Sequence, residues 1–250
     1  MLSKLNLKYQ YFLLYGFPVL LLLTLSFVFN FNGLYGQDSH AYYQFSKELL
    51  LYLEEGKQFG DFYWPKTYSF IGTILSYSGL PILVCLRLIS FLSLIGALFY
   101  ANRIIKMLYH KDGSLFLFLG ACLSTYFVRA SLFVMSDMLA VFFITLFFYS
   151  YISYWKEKRK ISIIILFISG ILSFSVRYAC LPLIVFPIVT VLYDWFKDLN
   201  KGKYALVSIL IAIAIFFIYS NQDFIQFLMN EFSIRVFPVF NSHIERIAAK

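Results

Sequence analysis

The sequence predicts an all-α integral membrane protein: about seven helices crossing a bilayer, with interfacial helices in a first loop on the far side. Three observations predict it. Apolar residues make up 61% of the 250 positions and charged residues only 14%, against roughly 45–50% and 25% in an ordinary soluble domain. Apolar runs recur along the whole chain, each about the 17 to 25 residues that cross a hydrocarbon core of about 30 Å. The net charge of +8 comes from Lys and Arg gathered in short clusters between those runs. That pattern speaks for topology and against nucleic acid as a partner.

The first run, uncharged from Tyr9 to Phe31, follows Lys4 and Lys8. It is longer than a secretory signal core and lacks an A-x-A cleavage pattern, so it reads as a retained first span, 10–31. Further spans are expected at 81–105, 113–131, 138–155, 161–177, 179–196 and 204–221, in a single membrane domain over 1–250. Assigning loops alternately gives one side twelve of the 21 basic residues: Lys4, Lys8, Arg103, Lys106, Lys111, the cluster Lys156, Lys158, Arg159 and Lys160, then Lys197, Lys201 and Lys203. The positive-inside rule makes that side cytoplasmic. The loop 32–80 and the tail 222–250 then lie outside, with a bacterial-type plasma membrane as the expected location.

Within the loop, Ser39 to Glu55 carries Ala41, Phe45, Leu49 and Tyr52 or Leu53 at helical spacing, which predicts an interfacial helix. Tyr68 to Tyr77 is too short to span and is expected to lie along or dip into the membrane. Between them runs an aromatic turn that includes Phe62, Tyr63 and Trp64. Cys85, Cys122 and Cys180 lie within or beside apolar runs, which suggests neither a disulfide framework nor a thiolate metal site. There is no fixed-period repeat, no Gly-rich phosphate loop, no H-E-x-x-H and no paired metal-ligand spacing. The three histidines are scattered, and a carboxylate-bound divalent cation stays open.

An ionisable group at membrane depth is costly unless paired or wetted, so Asp38, Arg87, Arg129, Asp137 and Arg177, all near one membrane face in this topology, are the candidate site residues. Asp38 follows Gly33 and Gly36, which permit a tight turn that aims its carboxylate at the membrane surface. There it can take a proton from an attacking hydroxyl or amine, or cap the interfacial helix. Arg129 and Arg177 offer forked donors suited to phosphate, or else snorkel to the headgroups. Asp137 opens the fourth span as a cap or a dipole partner, or joins the donor-binding set. Arg87 sits inside its span, where a structural pairing with an acid or a helix carbonyl is expected. Trp64, Tyr63 and Phe62 are candidates for stacking on a sugar ring, with an interfacial aromatic belt as the alternative, and Tyr42 joins Trp64 and Tyr63 as a candidate acceptor or sugar contact.

The order of these features resembles the GT-C superfamily of lipid-phosphosugar glycosyltransferases, which includes protein O-mannosyltransferases and lipid A aminoarabinose transferases. The residues that carry the likeness are Gly36-Gln37-Asp38-Ser39-His40-Ala41-Tyr42 after the first span and Arg87-Leu88-Ile89-Ser90 with Gly96. They continue in Ala130 to Ala140 and in Gly170 to Pro182, and the likeness covers about residues 10–196. The resemblance implies a GT-C-like core, a sugar donor on a polyprenyl phosphate and a lipid, glycan or protein acceptor. It implies Asp38 as base and Arg129 and Arg177 at the carrier phosphate. Some relatives carry paired acids where this chain has Asp38-Ser39, so a strict metal requirement is not implied. Many are also longer, so a minimal core, a truncation or one subunit of an assembly are all expectations. A lipid or sugar transporter, or flippase, is the rival from another class.

Overall fold

The computed structural model describes residues 12–197 apart from 59, 61 and 63; among them the chain is all-helical, with no strand. Two units divide the chain, Met1–Val191 and Leu192–Lys250, and nearly all of the second, with the expected span 204–221 and tail 222–250, lies outside the described residues.

A π-helical turn, Phe12–Gly16, leads into α1, Phe17–Val28, with Pro18 in the first turn, where a missing N–H leaves no bond unmade. After α1 the chain reverses through Gly33, whose φ of 93° and carbonyl bond to Val134 N–H (2.9 Å) fasten this turn to the one before α7. A Cβ at Gly33 would come within 2.9 Å of Arg87 Cδ, so glycine is needed here for both backbone angle and space.

Helix α2, Gly36–Glu55, starts three residues before the expected Ser39 and ends at Gly56 in the left-handed conformation. Its buried face is Ser39, Tyr42, Phe45, Ser46 and Leu49. The expected stripe holds at Phe45 and Leu49 but not at its end, where Tyr52 and Leu53, each 45% exposed, lie off the packed face. Serines replace them because α3, Thr67–Ser76, packs on that face. Ser69 Oγ donates to the Tyr42 carbonyl (3.2 Å) and Thr73 Oγ1 to the Ser46 carbonyl (3.1 Å). Small hydroxyl residues allow this close approach and satisfy each other's backbone.

The two longest helices are α4, Ile82–Tyr109, and α7, Asp137–Glu157, and both are long and apolar enough to cross a membrane. At 28 residues α4 is about 42 Å long. Between them the expected single span 113–131 folds instead as α5, Ser114–Leu123, and α6, Thr125–Leu132. The break falls at Ser124, where the backbone is extended and Ser124 Oγ accepts from Phe127 N–H (3.4 Å), an N-cap that starts a new helix. Then come α8, Lys160–Val176, a short 3₁₀ turn at Tyr178–Cys180, and α9, Leu181–Lys197. Packing is most extensive where α7 meets α4 and α8.

Polarity is arranged with hydroxyls inside and hydrocarbon outside. In α8, Ser162, Ser169 and Ser173 are buried, while Ile161, Ile164, Ile168 and Ile171 are 53–66% exposed along the other face. In α7, Ser150 and Ser153 are likewise buried. Ser150 and Ser169 each donate to the carbonyl four residues back (2.9 and 2.6 Å). Among the described residues no buried side-chain N or O lacks a partner.

Candidate functional site

The turn Phe133–Ser136 joins α6 to α7 and is held from several sides. Ser90 Oγ of α4 lies within 3.2 Å of the Phe133 carbonyl and 3.3 Å of that of Met135. Tyr68 of α3 reaches Ser90 Oγ at 2.9 Å and donates to the Leu86 carbonyl at 2.8 Å. The first residues of α7 are therefore set rigidly against the start of α2.

Tyr42 is the link between them. It is 4% exposed, its ring edge-on to Phe62 (5.4 Å) and Tyr68 (5.3 Å), and its hydroxyl shares a 2.9 Å hydrogen bond with Ser136 Oγ. Its ring is covered by this packing. Burial pushes the phenol above its ordinary value; the Ser136 bond and the Arg177 charge pull against that shift, while Asp38 adds to it. Tyr42 thus feels both Asp38 and Arg177, residues 139 positions apart in the chain.

Asp38 is the third residue of α2, and the N-cap is Tyr35. Asp38 therefore does not cap the helix; its partly buried carboxylate lies in the first turn, where the helix dipole favours a negative charge. Ser39 does the local bonding instead: its Oγ accepts from Tyr35 N–H and donates to Tyr35 O, both at 2.6 Å. That leaves the Asp38 carboxylate outside the turn's hydrogen bonding.

Asp137 opens α7 and forms an ion pair with Arg177, which ends α8 in an extended conformation. The Asp137 side chain is 11% exposed and that of Arg177 46%. The carboxylate therefore orients the guanidinium from inside, leaving its outer half open to an anion. Asp137 thus holds Arg177 by an ion pair, a contact its expected place in a donor-binding set did not include. Arg129, exposed near the end of α6, lies over the rings of Tyr35 (5.5 Å) and Phe133 (5.2 Å). Among the described residues no carboxylate pairs with it, so its charge is held by aromatic faces without being neutralised.

Arg87 packs against the Gly33 turn and donates to Ser26 Oγ of α1 (2.7 Å). The partner is a hydroxyl, where an acid or a helix carbonyl was expected. Trp64 is half-buried against the same core as Tyr42, and Phe62 stacks on Phe45 at 4.2 Å. Tyr63 lies outside the described residues. Among the described residues no group of three His, Cys, Asp or Glu side chains is placed to hold a metal.

Sequence reasoning missed Ser136, Tyr35 and Phe133. A serine before an acid at a helix start reads as a cap, and Ser136 does occupy that position, but its hydroxyl goes to Tyr42. Tyr35 and Phe133 lie among many aromatic residues and have no distinguishing spacing. Comparisons with protein-family models, curated proteins and solved structures give no match.

Proposed function

We propose that the chain is an integral membrane glycosyltransferase of the GT-C type, moving a sugar from a polyprenyl-phosphate carrier to a lipid, glycan or protein acceptor at the outer face. The observation that carries this reading is that Asp38 and Arg177 both act on the buried Tyr42, with Asp137 paired to Arg177 and Arg129 over Tyr35, the N-cap of the helix that bears Asp38. A carboxylate that makes no hydrogen bond or ion pair among the described residues, together with two guanidiniums able to bind an anion, suits an inverting transfer from a phosphate leaving group. The outward isoleucines of α8 and its buried serines support the membrane setting.

In this mechanism Asp38 takes the proton of the acceptor hydroxyl or amine as that atom bonds to the anomeric carbon. The bond from that carbon to the carrier phosphate oxygen breaks, and the phosphate leaves with the electron pair. Arg177, aimed by Asp137, and Arg129 stabilise the growing charge. No metal is needed to balance the step.

The test is sugar transfer in membranes from a panel of radiolabelled polyprenyl-phosphate sugars, comparing wild type with Asp38→Asn and Arg177→Gln at equal protein level. Transfer should fall about 10²- to 10⁴-fold without the base and about 10²- to 10³-fold without the guanidinium. Wild-type turnover by Asp38→Asn would remove the proposed base. The break between α5 and α6 favours the rival transport reading, because transporters build sites from interrupted helices. Carrier-linked sugar crossing the bilayer without being transferred would mark that case.

A further inference from the structure

A cavity of about 280 Å³ lies at the other end of α4, about 18 Å along the helix from Ser90 to Asn102. Its wall includes the rings of Tyr15, Phe99 and Tyr149, and Arg103, Lys106 and Arg159 supply three positive charges against the single carboxylate of Glu157. Two of the cations are already answered: Arg159 pairs with Glu157 at 2.7 Å, and Lys106 with Asp112 at 2.6 Å. Arg103 is not; its guanidinium lies over the Phe99 ring at 4.9 Å, and among the described residues no carboxylate pairs with it. The buried amide of Asn102 fixes this end of α4 by accepting from Gly113 N–H (3.0 Å) and donating to Ser114 Oγ (3.1 Å). The cavity is thus rigid at its base, aromatic on one side and net positive.

We propose that this cavity binds a phosphate-bearing anion, with Arg103 as the principal contact and the aromatic wall against the group's carbon stem. The volume admits a phosphorylated headgroup and excludes a whole lipid. A guanidinium held over a ring by cation–π attraction still has N–H donors that can grip phosphate oxygens. The shared chemistry is a phosphate ester, and its source is either an anionic lipid headgroup or a soluble phosphate. The site is separate from the Asp38 cluster and does not depend on the transfer reaction.

The experiment is thermal unfolding of the purified full chain in detergent, titrated separately with dioleoyl phosphatidic acid, dioleoyl phosphatidylcholine and inorganic phosphate. Phosphatidic acid should raise the melting temperature with saturation and phosphatidylcholine should not. Arg103→Gln, an exposed change that should melt as wild type without ligand, should weaken the apparent affinity about fivefold or more. Lys111→Gln, outside the cavity, should match wild type. An equal rise with inorganic phosphate would confirm the site and assign it to soluble phosphates. A flat response to both anions, or an undiminished rise in Arg103→Gln, would overturn the proposal.

Discussion

Tyr42 has a short polar tip on a buried ring, and its hydroxyl is the hydrogen bond that joins α2 to the start of α7. Tyr42→Phe keeps the ring packing but leaves the buried Ser136 hydroxyl without its partner. The expected loss is about 1–3 kcal/mol, read by thermal unfolding. The pH dependence also has a defined sign. Burial raises the folded phenol above the free value of about 10. The folded state then holds its proton to higher pH than the unfolded state, so stability is flat below about pH 10 and falls as pH rises towards the folded value. That part of the alkaline decline should be missing in Tyr42→Phe. At this scale, Asp38 and Arg177 were legible because an ionisable group beside an apolar span calls for an explanation. The Asp137–Arg177 pair was not, because its partners are 40 positions apart and no local spacing links them.

Helices and their junctions show where sequence periodicity is informative and where it is not. The long spans of α4 and α7 were readable from length and hydropathy, since about 20 apolar residues are a coarse signal. The break at Ser124 was hidden, because apolar residues run on both sides of it and a single serine can also sit inside a helix, bonded to the carbonyl four residues back. The face of α2 was read only in part: Phe45 and Leu49 are buried as the stripe required, but Ser39 and Ser46 join them while Tyr52 and Leu53 are exposed. At the junction of α4 and α5, Asn102→Ala should leave the Gly113 N–H unpaired and cost about 1–3 kcal/mol in unfolding free energy. In the same turn, burial works to raise the Asp112 carboxyl, but hydrogen bonds from Lys106 and Ser114 outweigh it and hold it below its ordinary value. Its contribution is present above the unfolded value of about 3.9 and is lost as pH falls through the lower folded value. An acid titration of stability comparing wild type with Asp112→Asn should show that slope only in wild type.

For the molecule as a whole, the arrangement of hydroxyls inside and isoleucines outside is what a hydrocarbon solvent selects. Apolar burial gives no net drive there, while close small-residue contacts and satisfied hydroxyls do. The central claim is that Asp38 serves as base for sugar transfer by this chain. It is tested most directly by reconstituting the purified chain alone in proteoliposomes with polyprenyl-phosphate sugars. Wild type, Asp38→Asn and Glu54→Gln, an exposed acid on the same helix, would be compared. Transfer by wild type and Glu54→Gln, with a fall of about 10²- to 10⁴-fold in Asp38→Asn, is the predicted result. Equal transfer by Asp38→Asn, or none from any donor by the wild-type chain, would contradict it.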